Sequence, residues 1–537
     1  MKHQGRINLS KSKVLFTDIY FLFTLIVCVA LVLFKYSDFT LPYFSDELWV
    51  YGPSVRKMGI HGPSMLPSSL KLEDHWAHPL LFFFTGGLWC LIFGSSILST
   101  HIFAACISIT LLISVYFVGK NLFNKKIGFY TVLIFSSQSI FLGQFSLVLP
   151  EVMLTLFTLL TIYYYYKEKY LWYIVSGACL VLVKETGIFP ILAIVLWNII
   201  KDVIYENQNF FKWSILKKYL ILIFPFLILG IHFLTLKIIY GWFLMPDRVH
   251  SFEFSWDIYH ERIMHSIHYV FIGQGRKIIL ISLSVIAVLF NKRYPLWVRI
   301  FLFLLGFSII KIFFKYWKLP EIFSMLMIPA VFSILLKIIF WDIYKTDKKK
   351  GEILGIFSIF ILIYLLFSSS QFDSLRYLLC LIPLFIMMTV YFIDNISWGK
   401  KILLPVISVI FIGFSLNYLL TDKNWGDDTN NYKNVCIIRK QSIQFLEKNN
   451  YYSSAIKAPF LYSHAIRRPL TGYLQSERIF SNVSSIDGKT KNCEECICIF
   501  ENTDPSLYYE EISQNNNFEL INKSQKGSVW IEIYKKK

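Results

Sequence analysis

The chain is poor in charge. Of its 537 residues, 16% are Asp, Glu, Lys or Arg, against 55% hydrophobic and 18% aromatic. A soluble domain of this length does not need that much apolar mass. No small-x-small cleavage site follows the first apolar run, Val14 to Phe34, and the run is too long for a signal-peptide core. It reads as a retained anchor. Internal repeats and low-complexity tracts are also missing. No His lies close to Cys493-x-x-Cys496-x-Cys498, which disfavours zinc. These three and Cys436 lie in a polar C-terminal region, where an extracytoplasmic setting makes one structural disulfide the expectation. Cys28, Cys90, Cys106, Cys179 and Cys380 lie in apolar runs and read as packing residues.

What the chain does have is a series of apolar runs separated by short basic or aromatic segments, the pattern of a polytopic helical membrane protein. The net charge of +18 does not indicate nucleic acid, because most Lys and Arg flank those runs, where they set topology and meet lipid headgroups. Spanning runs are expected near 14–34, 98–118, 127–142, 152–166, 171–183, 187–200, 218–239, 277–290, 296–314, 321–340, 353–367, 377–393 and 402–420. The run 79–94 is short and contains Gly86-Gly87. If it spanned, Lys120, Lys125 and Lys126 would face outward, against the positive-inside rule. It is therefore expected to lie in the outer interface, with Trp89 and Phe82–Phe84 along the boundary. The expected architecture is an all-α membrane region over 1–420 with about thirteen transmembrane helices. Its two large outer loops are 35–97 and 240–276. Residues 421–537 follow as a small extracytoplasmic α/β domain.

Carboxylates and cations recur at the outer ends of these runs. Asp46-Glu47 lies twelve residues past Phe34. A carboxylate beside the membrane can take the proton of a hydroxyl nucleophile, although Ser45-Asp46 could equally cap a short helix. His78-Pro79 opens the interfacial run, with Pro79 suited to a first helical turn. His78 there is either an interface residue or a phosphate or sugar ligand. Glu151 follows Pro150 at the start of a spanning run, where helix capping alone would favour it. Lys184-Glu185-Thr186-Gly187 lies between two runs. A Lys at that depth is costly unless paired, so Lys184 either grips a lipid phosphate or pairs with a carboxylate, Glu185 being the nearest in sequence. Arg376-Tyr377 opens a late run as an interfacial anchor or as a phosphate fork.

Asp46-Glu47, His78-Pro79-Leu80, Pro150-Glu151, Lys184-Glu185-Thr186-Gly187 and Arg376-Tyr377 together resemble the motifs of GT-C glycosyltransferases. Within that superfamily they are most similar to the protein O-mannosyltransferases and lipid A aminoarabinose transferases, which use dolichyl- or undecaprenyl-phosphate sugars. The resemblance implies an inverting sugar transfer from a polyprenyl-phosphate donor to a protein, lipid A or glycan acceptor at the outer face of the cytoplasmic membrane. Asp46 would be the base, with Glu47 and Glu151 beside it. His78, Lys184, Glu185, Arg376, Tyr377 and Arg248 would bind substrate, Lys184 and Arg376 on the phosphate side. No cofactor is required, since cations can stabilise the leaving phosphate, although the acidic residues would suit a divalent ion. The chain departs from the family at Leu80, Gln144 and His101, so a phosphate-binding cation could instead come from Arg248, Arg262 or Arg276. The competing expectation is a transporter or flippase of lipid-linked sugars, or a non-catalytic partner in surface-polysaccharide assembly. Transporters favour inverted repeats and helices broken at mid-membrane. Neither is visible, and the acidic residues collect at one face.

Overall fold

A computed structural model of the chain describes residues 18–205, 213–247, 255–276, 343–344, 346–370, 374–395, 402–486 and 496–537. Among these, seven helices are long and apolar enough to cross a membrane: Ile19–Thr40, Ile97–Leu122, Glu185–Val203, Ile215–Tyr240, Lys348–Ser368, Leu375–Asp394 and Leu403–Thr421. The expected spans at 277–290, 296–314 and 321–340 lie outside the described residues.

Three further runs are shorter than a full span. The 127–142 run breaks into helices Lys125–Ser136 and Ser139–Gln144. At the break Gln138 is extended and its side-chain oxygen accepts from Arg276. The next two runs form Glu151–Tyr166 and Tyr170–Val183, of 16 and 14 residues. Helices of that size rise about 21–24 Å, less than the roughly 30 Å of hydrocarbon. The described residues thus hold seven of the thirteen expected spans at full length and three as shorter helices.

The first two membrane-length helices are joined by a loop that carries helices Gly52–His61 and Leu81–Phe93. They cross closely because glycine lines the contact. A Cβ on Gly59 would lie 2.4 Å from that of Cys90, and one on Gly86 would lie 2.7 Å from Val55 Cγ1. The Leu81–Phe93 helix, at 13 residues, rises only about 20 Å and is too short to span. It starts later than expected, leaving His78 and Pro79 in the turn before it. Phe82 and Phe83 also differ from expectation. Both are buried against Tyr51 instead of lying along a boundary, while Leu88, Leu91, Ile92 and Phe93 are exposed. The Ile97–Leu122 helix then begins at Ser96, whose hydroxyl caps Ser99 N–H.

The C-terminal residues form a five-stranded mixed sheet, β1 (Ala455–Ala458), β2 (Val483–Ser485), β3 (Cys496–Glu501), β4 (Phe518–Lys526) and β5 (Val529–Lys536), in the order β2-β1-β3-β5-β4. Strand β1 runs parallel to β2 and β3, and β5 runs antiparallel to β3 and β4. β3 is buried along its whole length, with Ile497 and Ile499 on one face and Cys496, Cys498 and Phe500 on the other. The Tyr432–Lys448 helix is tied to the sheet by a buried ion pair, Arg439 to Glu501 at 2.6 Å. Cys496 and Cys498 sulfurs lie 4.0 Å apart in β3, and Cys436 is a buried free thiol. Cys493, the other candidate for the expected disulfide, lies outside the described residues.

The sheet region docks on the first long loop. Tyr43 N–H donates to the Thr471 carbonyl at 3.1 Å, and Tyr473 hydroxyl donates to the Tyr43 carbonyl at 2.9 Å. Arg56 reaches the Leu470 carbonyl at 2.5 Å.

Candidate active site

The turn Pro42–Ser45 delivers the first acidic pair. Ser45 is left-handed, φ 52, and the helical turn Glu47–Tyr51 follows directly after Asp46. The two carboxylates then point to different environments. Asp46 stays 30% exposed and ion-pairs with Arg376, while its other oxygen accepts from Trp49 indole N–H at 2.9 Å. Glu47 is fully buried. Its oxygens accept from Phe44 N–H at 3.0 Å, Val148 N–H at 2.7 Å and His101 Nε2 at 2.9 Å. His101 Nδ1 lies 2.9 Å from the Phe39 carbonyl. Both ring nitrogens thus face acceptors, and the ring donates on both sides as an imidazolium.

Arg376 joins the segments. Its guanidinium contacts Asp46, Asp427 and, at 3.5 Å, Glu151. Glu151, at the first position of its helix, accepts from Lys184 ammonium at 2.8 Å. The same ammonium sits 3.7 Å from the centre of the Tyr377 ring, a short cation–π contact. Glu151, Lys184 and Arg376 are buried. The other Glu151 oxygen, Oε2, is enclosed without a hydrogen-bond partner among the described residues.

The sequence reading placed Asp46, Glu151, Lys184, Arg376 and Tyr377 among the site residues, and the fold brings these five together. It does not pair Lys184 with Glu185. Glu185 instead lies 3.0 Å from His78 Nδ1, and His78 stacks on Tyr51. Glu47 sits behind the cluster, facing protein groups. Arg276, one of the alternative phosphate cations, is fully buried with bonds to Val270 and Tyr269 carbonyls and to Gln138. Arg248 lies outside the described residues.

Asp427 and Asp428 were missed. Asp427 accepts from Ser45 hydroxyl at 3.1 Å and pairs with Arg376. Asp428 accepts from Tyr269 hydroxyl at 2.9 Å. The signal was available: an acidic pair just past the last apolar run, as Asp46-Glu47 sits past the first.

Three carboxylates around one guanidinium and one ammonium do not titrate alike. Burial pushes Asp46 up, but Arg376 and the Trp49 indole outweigh it and hold the carboxyl below its ordinary value. Asp427 is raised by burial and by the negative charge of Asp46, against the pull of Arg376. Asp428 is pushed up to about 6 by burial and by Asp427. Asp46 is therefore the carboxylate that is both ionised and partly open. No three His, Cys, Asp or Glu side chains among the described residues form a group able to hold a metal ion. At the cluster itself, Arg376 takes one oxygen each of Asp46 and Asp427, Lys184 takes Glu151 Oε1, and the Trp49 indole takes the second Asp46 oxygen.

Residues 77–229 match the family model described as dolichyl-phosphate-mannose-protein mannosyltransferase. In fold, the chain is similar to ArnT from Cupriavidus metallidurans bound to undecaprenyl phosphate, at 11% identity and a TM-score of 0.50, over 96% of this chain and 98% of that one. The apo state of the same ArnT gives 11% identity and a TM-score of 0.51, over 95% and 97%. No curated protein matches in sequence. The resemblance carried by the motifs is thus met by a family model over residues 77–229 and by a shared fold over nearly the whole chain.

Proposed function

We propose that the chain is a glycosyltransferase. It moves a sugar from a polyprenyl-phosphate lipid to an acceptor hydroxyl or amine at the outer face of the cytoplasmic membrane, with inversion. One observation carries the reading: Arg376 bridges Asp46 to the Glu151–Lys184 pair, so a proton acceptor and two cations share one site. The family match over 77–229 and the likeness to an ArnT structure that contains undecaprenyl phosphate support a polyprenyl-phosphate donor.

In this mechanism the acceptor oxygen or nitrogen attacks the anomeric carbon. The bond from that carbon to the phosphate oxygen breaks, and its electron pair leaves with polyprenyl phosphate. Asp46 accepts the proton lost by the acceptor. Lys184 has three donors and gives one to Glu151, and Arg376 lies beside it, so both stabilise the charge that develops on the leaving phosphate. Glu151 Oε2 is placed to accept from a substrate hydroxyl, which would satisfy a buried oxygen otherwise costly to leave bare. His78 and Glu185 form a second polar pair on the Tyr51 side and are assigned to donor-sugar contact. Glu47, held by His101, fixes the turn that aims Asp46. Arg248 is kept as a candidate headgroup contact from the 240–276 loop.

The test is release of polyprenyl phosphate from a panel of labelled polyprenyl-phosphate sugars by purified protein. Asp46→Asn is expected to slow it by about 10²–10⁴-fold, the usual range for removing a general base. Equal release by both proteins would remove Asp46 from the mechanism.

A further inference from the structure

Four rings from two distant parts of the chain converge beside Asp46. Trp49, whose indole N–H bonds Asp46, meets Trp76 edge-on at 5.1 Å, Phe460 at 5.3 Å and His464 at 6.1 Å. Trp49 and Trp76 come from the loop after the first membrane-length helix. Phe460 and His464, 4.6 Å apart, come from the Phe460–Arg467 helix of the C-terminal region. Arg468 fixes the junction by donating to the Trp49 carbonyl at 2.8 Å.

Packing against the core accounts for Trp49 and Trp76 but not for Phe460. Phe460 is 52% exposed, although it stands among other rings. Trp76 and Ala77 are consecutive left-handed residues, φ 50 and 58, a conformation that side chains with a Cβ resist. The Trp76 indole N–H is enclosed without a hydrogen-bond partner among the described residues. Backbone strain and an unpartnered donor on the ring beside Trp49, which bonds Asp46, are features that gather at ligand sites more than in packed cores. His464 is pulled down to about 4 by burial and by Arg468 and Arg467, so the ring surface is uncharged near neutral pH.

We propose that Phe460, Trp49, Trp76 and His464 form the acceptor subsite, and that the group they bind is a sugar ring. The acceptor is then a glycan or a glycolipid headgroup. This rests on the glycosyltransferase reading of the Asp46 site. The C–H groups on one face of a pyranose carry partial positive charge and match the negative face of an aromatic ring. Its hydroxyls would satisfy the indole donor of Trp76, which is enclosed in this conformation and meets a ligand only when the ring turns outward.

The full-length protein in detergent is tested by saturation-transfer NMR with three probes: N,N′-diacetylchitobiose, maltose and a Ser/Thr-containing hexapeptide. Saturation of at least one disaccharide and none of the peptide is expected. Phe460→Ala should weaken disaccharide binding about tenfold, the scale of one lost ring contact. Trp76→Phe, which keeps a ring and removes the donor, should weaken it several-fold. Saturation of the peptide alone, of no probe, or of a disaccharide indifferent to both substitutions overturns the subsite. The two readings fail separately. Donor turnover that is lost in Asp46→Asn, with disaccharide binding that ignores Phe460, sinks only the subsite. Phe460-dependent disaccharide binding without any donor turnover sinks the transferase reading and with it the acceptor role, leaving the four rings as a sugar site.

Discussion

Asp46 and Glu47 are neighbours with opposite environments, and the difference sets what each substitution does. Glu47 is a buried carboxylate with a buried imidazolium partner and two backbone donors. Removing one member of such a pair leaves the other charge uncompensated, which costs about 3–5 kcal/mol. Glu47→Ala should therefore lower the thermal midpoint in detergent, and adding His101→Leu should recover part of the loss. A double mutant as unstable as the sum of the singles would refute the pairing. Asp46→Asn, at a partly open position and with Asp427 and Glu151 still beside Arg376, should lower the midpoint less than Glu47→Ala while slowing turnover by about 10²–10⁴-fold. The depressed Asp46 pKa gives a sign as well. Its stabilising contribution is present above the ordinary carboxylate value of about 3.9 and is lost only as pH falls through the lower folded value. The acid limb of activity should accordingly lie below the usual carboxylate range. Asp428 behaves inversely, because its folded value near 6 lies above the unfolded one. Between roughly pH 4 and 6 the folded state holds more protons, so stability falls as pH rises. Asp428→Asn should melt higher than the parent at pH 8, with the gap closing below about pH 4. A constant gap across that window would exclude Asp428 as its source.

At the level of elements, the sequence revealed positions more readily than partners. Asp46, Glu151, Lys184 and Arg376 could be found because each stands at the end of an apolar run, where a charge needs a reason. The pairing of Lys184 with Glu151 could not, because it joins residues 33 apart in sequence across two helix ends. Proximity in sequence suggested Glu185, which the fold gives to His78. Helix length misled for a related reason: a hydropathy run does not show that Gln138 will leave the helix to meet Arg276. Charge bias and length led to a non-spanning reading of the Leu81–Phe93 helix, whose 13 residues are short for a span, yet the burial of Phe82 and Phe83 against Tyr51 and the glycine-lined crossing beside it are displayed only by the structure. That crossing makes a prediction. Gly86→Leu would drive side-chain atoms into Val55, where even a Cβ is 2.7 Å away. Overpacking of this kind costs about 1–3 kcal/mol. Because the same loop carries Asp46, transfer should fall together with the melting temperature. Unchanged melting would show that the two helices can separate freely.

Across the whole molecule, charged groups collect at two ends, and the helices between them set the separation. The Glu151–Tyr166 helix starts at the site and ends beside Lys167 and Glu168, a rise of about 24 Å for 16 residues. Glu168 meets Lys349 at 3.5 Å, and at other helix ends Lys120 meets Asp18 at 2.7 Å and Lys126 meets Asp394 at 2.9 Å. A lysine-rich end opposite the Asp46 cluster is what the positive-inside rule expects of the cytoplasmic face. If the lysine-rich end is cytoplasmic, as the proposal requires, donor and acceptor meet outside. This orientation is tested with an impermeant maleimide and single cysteines added to the chain, the unmodified protein giving the background. Leu507→Cys, at a position 96% exposed in the C-terminal region, should label in intact cells. Lys349→Cys, whose side chain is 66% exposed, should label only after the membrane is opened. The reverse pattern would move the Asp46 site to the cytoplasm and require an acceptor made there. Labelling of both in intact cells would mean that the two ends do not lie on opposite sides of a membrane, and the polytopic orientation itself would fail.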